Sequence, residues 1–132
     1  MRTLFFRRRT SNAGVHNTAP DAGEIEIHVA RASPQSTVTV TGRVTVNSSP
    51  HLRSVLLELL RQGAEPVIVI DLSGVSYLDM SGLATLLETL KAARRCSATL
   101  RVLGMTGQSR MLAEIAELEK VFRSAGSKVE FQ

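Results

Sequence analysis

Residues 67–90 have the sequence VIVIDLSGVSYLDMSGLATLLETL, and this stretch decides the fold. It opens with a run of β-branched residues, which is typical of a strand covered on both faces. It ends with leucines spaced three and four residues apart, which is typical of an amphipathic helix. The polar turn at residues 79–82 is therefore predicted to lie at a helix N-terminus, where free backbone N–H groups and the positive end of the helix dipole meet. We expect the function to reside at this turn.

Strand and helix patterns alternate along the rest of the chain. Alternating apolar residues predict strands over 24–30 and 37–41, joined as a hairpin. Ser49 is the predicted N-cap of a first helix that Gly63 ends. Further strands are predicted over 67–70, 99–103 and 128–131, and further helices over 83–90 and 111–122. The sequence predicts a single α/β domain with a mixed, mostly parallel sheet of four to five strands, an N-terminal edge hairpin and three to four helices.

Residues 1–23 are predicted to form a flexible basic tail, and the domain is predicted to span residues 24–132. The first 22 residues carry three of the four net positive charges. The remainder is nearly neutral, which argues against a nucleic-acid partner because phosphate binding needs a basic face. An alternative role for the tail is weak contact with a membrane surface through Leu4, Phe5, Phe6 and the arginines.

The sequence gives no indication of an oxidising compartment or a membrane span. Cys96 is the single cysteine, so an intramolecular disulfide is impossible. No segment approaches the roughly 18 uninterrupted apolar residues of a transmembrane helix. A cytoplasmic protein without a transmembrane segment is predicted.

Catalytic, metal and cofactor sites are not predicted. The potential metal ligands fall on different elements without ligand spacing, and they are His16, His28, His51 and Cys96. The glycines do not form a phosphate-binding loop, so no cofactor is expected. Asp71 and Asp79 lack a third group for acid–base work, and Asp71 is predicted to end a strand and cap the following turn. Asp79 is expected to accept backbone N–H groups and to place its charge beside the helix dipole.

The pattern D-L-S-x-V-x-Y-L-D-x-S-G-L-A-x-L-L at residues 71–87 resembles the signature of the STAS domain, the fold of bacterial anti-sigma factor antagonists. The early strand ending at Gly42, the helix over 52–60 and the late strand and helix over 100–122 resemble that family too. The resemblance implies a non-enzymatic switch protein that binds a kinase-type anti-sigma factor. In such proteins, phosphorylation of the Ser or Thr after the motif's aspartate ends the binding.

Met80 occupies that phosphoacceptor position and cannot be phosphorylated. Ser81, the next residue, is predicted first as the N-cap of the helix that opens at Gly82 and only second as a substitute acceptor. Three explanations follow. The chain is a constitutive binder whose Met80 fills an apolar pocket on the partner, or it uses Ser81, or it is a STAS-like subunit of a lipid-transporting ABC complex.

The resulting prediction is a regulatory protein that binds through the loop at 78–82 and the exposed face of the following helix. The predicted partner is a kinase-type anti-sigma factor, and an ABC ATPase is the alternative. The predicted partner-binding residues are Leu78, Asp79, Met80, Ser81, Gly82, Leu83 and Thr85.

Overall fold

A computed structural model describes the backbone of residues 2–7, 25–63 and 65–131, and the side chains of 25–63 and 65–130. Within these residues, six strands form one sheet in chain order. The strands are β1 (Arg2–Arg7), β2 (Ile25–Ala32), β3 (Gln35–Val44), β4 (Val67–Leu78), β5 (Thr99–Met105) and β6 (Lys128–Phe131). The helices are α1 (Ser49–Gln62), α2 (Met80–Arg95), α3 (Gly107–Ile115) and α4 (Leu118–Ser124). None of these four helices is long and apolar enough to cross a membrane.

The sheet is mixed. The pairs β1–β2 and β2–β3 are antiparallel, and the three pairs from β3 to β6 are parallel. The predicted α/β fold, with a mostly parallel sheet, an N-terminal hairpin and three to four helices, is confirmed. The sheet has one strand more than the predicted four to five, because the chain before the hairpin also pairs.

β1 corrects the prediction of a tail without regular structure over residues 1–23. Arg2–Arg7 pairs with β2 along its whole length. A threonine and two phenylalanines give this segment strand propensity, which the neighbouring arginines mask in the sequence. Residues 8–23, the remainder of the predicted tail, lie outside the described residues, and contact of the Leu-Phe-Phe cluster with a membrane stays a prediction.

The core lies between the helices and one face of the sheet. Alternate residues of β2 and β3 are completely buried there, and most of the residues between them are partly exposed on the other face. The buried residues of these two strands include Ile25, Ile27, Val29, Val38 and Val40. An aliphatic core of this kind matches a sequence in which aromatic residues make up only 4%.

α1 buries the leucine and valine stripe that its sequence predicts. Gly63 ends it with φ +63°, a conformation that strains residues with a Cβ. Ser48 is the N-cap residue, not Ser49 as predicted. The Ser48 hydroxyl donates to the Arg43 carbonyl at 2.7 Å and accepts the Thr45 N–H at 2.9 Å, so it closes the turn between β3 and α1. The Ser49 hydroxyl instead donates to the Ser81 hydroxyl of α2.

β4 is longer than the sequence predicts. Asp71 was expected to end a strand over 67–70, but β4 continues to Leu78. Pairing with β5 stops at Asp71, whereas pairing with β3 continues through two register shifts that each admit one extra residue into β4. The Asp71 carboxylate accepts the Ser73 N–H at 2.9 Å inside the first shift, so the polar signal marks a bulge and not a strand end. The long strand carries residue 79 beyond the paired part of β5.

The single helix predicted over 111–122 is two helices. α3 and α4 are separated at Glu117, which has a left-handed φ of +54°. The turn allows Leu118 and Phe122 to enter the core, while Met111 and Ile115 stay exposed. One straight helix would carry these four side chains on one stripe, and the break separates them.

The first turn of α2 packs tightly on the sheet. A Cβ atom at Gly82 would lie 2.6 Å from Leu78 Cδ1 and 2.8 Å from Val44 Cγ1. Both neighbouring side chains are fully buried in the close-packed core, where a shift of either disturbs its own contacts. A glycine is therefore required at this position by space and not by backbone conformation.

Gly82→Val is expected to lower the free energy of unfolding by about 2–3 kcal/mol, because its methyl groups overpack this contact. Ala84→Val is the matched control, since it adds the same β-branched side chain at an exposed position of α2. The control is expected to cost at most about 0.7 kcal/mol, the loss in helix propensity. Urea unfolding of both variants measures the difference, and equal costs would contradict the tight contact.

Candidate functional site

The Asp79 side chain caps α2. Asp79 is extended, with φ −103° and ψ −173°, so its carboxylate folds back over the first turn of the helix. Its Oδ1 atom accepts the N–H groups of Ser81 at 2.9 Å and Gly82 at 3.1 Å. These bonds satisfy two of the N–H groups that have no partner within a helix. They also hold a negative charge at the positive end of the helix dipole.

The same residue ties the loop between β3 and α1 to the start of α2. Asp79 Oδ2 accepts the Val46 N–H at 3.1 Å, and the Asp79 N–H donates to the Val44 carbonyl at 3.0 Å. Burial by itself would raise the pKa of Asp79. Hydrogen bonds from the Ser81 hydroxyl and from three backbone N–H groups outweigh this effect and hold the pKa below its ordinary value. Asp79 is therefore ionised at neutral pH and fully engaged as an acceptor.

Ser81 is not the N-cap that the sequence predicts. α2 already begins at Met80, and Asp79 is the N-cap because its charged carboxylate reaches both N–H groups. The Ser81 hydroxyl donates to Asp79 Oδ1 at 2.5 Å and accepts the Ser49 hydroxyl at 3.3 Å. It therefore connects α1, α2 and the Asp79 carboxylate.

Gln108 supports the loop at the end of β4, beyond the point where pairing with β5 stops. Its Oε1 accepts the Leu78 N–H at 2.9 Å, and its Nε2 donates to the Leu78 carbonyl at 2.7 Å. The amide thus takes the place of a neighbouring strand for the residue just before Asp79. Sequence reasoning missed Gln108 because it lies 30 residues from its partner and no local pattern connects the two.

Met80 and Val46 are exposed apolar residues that both adjoin Asp79. Their exposed fractions are 64% and 67%. The Val46 N–H bonds the carboxylate that caps the helix starting at Met80, so the two residues border the same acceptor. Sequence reasoning missed Val46 because its hydrogen bond is to Asp79, 33 residues later in the chain. The polar Asn47 and Ser48 that follow Val46 are the available signal that the strand has already ended.

Several of the predicted partner-contact residues are not accessible. The buried ones are Leu78, Gly82, Leu83 and Thr85. Leu78 is the buried last residue of β4, and Gly82, Leu83 and Thr85 lie on the buried face of α2. Of the predicted set, Met80 is exposed, and Asp79 and Ser81 are partly exposed. Around Asp79, the accessible part of the predicted site is therefore these three residues, with the exposed Val46 beside them.

The site offers a binding surface. Residues 44–49 and 78–82 contain one carboxylate, that of Asp79, and four hydrogen-bond donors already engage it. Within the described ranges, no three His, Cys, Asp or Glu side chains are grouped to hold a metal ion. The arrangement presents apolar side chains on a fixed backbone, as recognition requires.

Asp79→Ala is expected to lower the free energy of unfolding by about 2 kcal/mol at pH 7, because it removes a charged helix cap. The pKa of Asp79 is lower in the folded state than in the unfolded state, so its contribution is complete above the unfolded pKa of about 3.9. It is lost as the pH falls through the folded pKa. The difference between wild type and variant, measured by urea unfolding, should therefore shrink from pH 6 to about pH 2.5.

Asp71→Ala is the matched control, because the Asp71 carboxylate accepts a backbone hydrogen bond from Ser73 within its own bulge. Its cost should be clearly smaller than that of Asp79→Ala. A cost of Asp79→Ala that does not change with pH would contradict the role of the ionised carboxylate.

Several known proteins are similar to this chain. An anti-sigma-B factor antagonist of Staphylococcus epidermidis is 33% identical over 94 residues, which are 70% of this chain and 86% of that protein. An anti-sigma-B factor antagonist of Staphylococcus aureus strain NCTC 8325 has the same identity and coverage. The crystal structure of an anti-sigma factor antagonist from Mycobacterium paratuberculosis superposes with a TM-score of 0.70 at 26% identity, covering 80% of this chain and 87% of that one.

The family model described as Mlab, STAS domain matches residues 27–124. This range extends from β2 to the end of α4 and includes the Asp79 loop and the whole of α2. The sequence relatives, the structural neighbour and the family model therefore point to the same family. The chain belongs to the STAS domain family of anti-sigma factor antagonists.

Proposed function

We propose that this chain is a non-enzymatic anti-sigma factor antagonist that binds a kinase-type anti-sigma factor through the loop at 79–82 and the exposed face of α2. In this proposal the binding is constitutive, because the phosphoacceptor position holds Met80. The partner would lose its hold on a sigma factor for as long as the antagonist is bound.

The observation that carries the proposal is the exposure of Met80 and Val46 on a fixed backbone. Two large apolar side chains with exposed fractions of 64% and 67% border one carboxylate. Exposed apolar side chains favour a protein contact, because binding removes their surface from water. The flexible thioether of methionine adapts to the shape of a pocket on a partner.

The surroundings of Ser81 support a site without a phosphorylation switch. Its hydroxyl is 2.5 Å from the Asp79 carboxylate and also contacts Ser49. A phosphate at Ser81 would place two negative groups together and would break the cap of α2. Ser81 is therefore assigned a structural role in this proposal.

Capture of partners from a native lysate with the full chain, followed by intact-mass measurement of the chain itself, tests the proposed function. A kinase-type anti-sigma factor on an unmodified chain is the expected result. An ABC ATPase in its place would support the alternative, a STAS-like transporter subunit, and would overturn the antagonist assignment. A mass increase of one phosphate that maps to Ser81 would overturn the constitutive mode.

Met80→Asp is expected to weaken binding of the purified anti-sigma factor by more than about tenfold, because a charge would be buried against an apolar pocket. Met111→Asp is the matched control: Met111 is 62% exposed on α3, outside the loop and α2. Isothermal titration calorimetry with the same partner should show normal binding for the control. Unchanged affinity for Met80→Asp would remove the loop from the interface.

A further inference from the structure

The solvent-facing side of α2 continues from Met80 to the end of the helix. Met80, Ala84, Leu87, Lys91 and Arg95 follow one another at steps of three and four residues, and their side chains are exposed or partly exposed. At 1.5 Å per residue, Lys91 lies about 16 Å along the helix axis from Met80. The exposed apolar start of α2 and its basic end therefore share one face.

The basic end of this face consists of Lys91, Arg94 and Arg95, which we call the α2 basic cluster. Among the described residues, no carboxylate lies within ion-pair distance of these three side chains. Most other described arginines and lysines have such a partner. The ion pairs are Arg31–Glu65, Arg53–Glu88, Arg61–Glu58, Arg101–Glu130, Arg110–Glu114, Lys120–Glu117 and Arg123–Glu119.

Glu88 is the single carboxylate of α2, and it attracts Lys91 and Arg95 electrostatically without forming an ion pair with either. Both its oxygens accept hydrogen bonds from the Arg53 guanidinium of α1, at 2.8 and 2.7 Å. One carboxylate that is already bonded to Arg53 does not balance the three positive charges of the cluster, so positive charge remains in excess on this face. The three residues of the cluster line a surface depression with a cavity volume of about 400 Å³, which is open to an incoming group.

The helix dipole does not account for Lys91. Positive side chains stabilise the last turn of a helix, and Arg94 and Arg95 lie there. Lys91 lies more than one turn before the C-cap residue Cys96, where the influence of the dipole has largely disappeared. Lys91 interacts electrostatically with Glu88, three residues earlier, and it continues the exposed face of Met80 and Ala84.

We propose that the α2 basic cluster receives an acidic surface of the anti-sigma factor that Met80 contacts. This inference rests on the proposed function and adds the chemistry of the partner. The partner would present an apolar pocket for Met80 and, about 16 Å away, Asp or Glu side chains that face Lys91, Arg94 and Arg95. Opposite charges at the edge of an interface speed association and fix its orientation.

Lys91→Glu is the test variant, and Lys128→Glu is its matched control. Lys128 is an exposed lysine of β6 for which no ion pair occurs among the described residues, and the two substitutions change the net charge equally. Stopped-flow or surface-plasmon kinetics with the anti-sigma factor recovered from lysate measure the association rate at low and high salt.

Lys91→Glu is expected to slow association about fivefold at low salt and by less than about twofold at 1 M salt, where the screening length is about 3 Å. Lys128→Glu should change the association rate by less than about twofold at both salt concentrations. Equal rates for the two variants would overturn the inference. Thermal unfolding of both variants confirms that Lys91→Glu leaves the fold intact, and a variant that does not fold is replaced by Lys91→Gln with the same criterion.

The outcomes separate this inference from the proposed function. If Met80→Asp abolishes the complex while Lys91→Glu behaves as Lys128→Glu, the antagonist assignment stands and the acidic contact is wrong. If the wild type binds no anti-sigma factor, the proposed function and this inference are both wrong. Binding of the chain to vesicles containing phosphatidylserine that Lys91→Glu removes, without a change in association rate, would assign the cluster to a membrane surface and overturn the inference.

Discussion

The Asp79 carboxylate is the interaction on which the rest of the site depends. It caps the first turn of α2 and, through Val46, holds a loop that lies 33 residues earlier in the chain. One ionised group with four donors therefore fixes both sides of the exposed surface. Hydrogen bonds to a charged acceptor contribute more than neutral ones, so the geometry of the loop does not depend on a partner being present.

Three features, one in the sheet and two in the helices packed on it, bring Asp79 to this position. The bulges of β4 lengthen the strand beyond its pairing with β5, and the Gln108 amide satisfies the backbone of Leu78 where β5 is absent. Gly82 lets α2 start in contact with Val44 and Leu78, where a Cβ would not fit. Met80 lies between Asp79 and Ser81, whose side chains are bonded to each other, and its own side chain is exposed.

The sequence predicts most of the fold because its apolar spacing is strong in β2, β3, α1 and α2. The sequence predicts the structure less well where contacts between residues far apart in the chain determine the local conformation. The polar residues after Asp71 conceal a strand because β3, and not local propensity, keeps β4 extended. The core positions of Leu118 and Phe122 require a break that the spacing of apolar residues does not reveal. In the site, Asp79 and Met80 follow from the motif, whereas Val46 and Gln108 depend on contacts across 33 and 30 residues.

Hydrogen–deuterium exchange of the chain, alone and saturated with the captured anti-sigma factor, tests most directly whether the surface around Asp79 is the interface. We expect slower exchange in peptides that cover residues 44–48 and 79–92, and unchanged exchange in peptides that cover α3 and α4. Protection confined to α3 and α4, where Met111 and Ile115 are also exposed, would contradict the assignment.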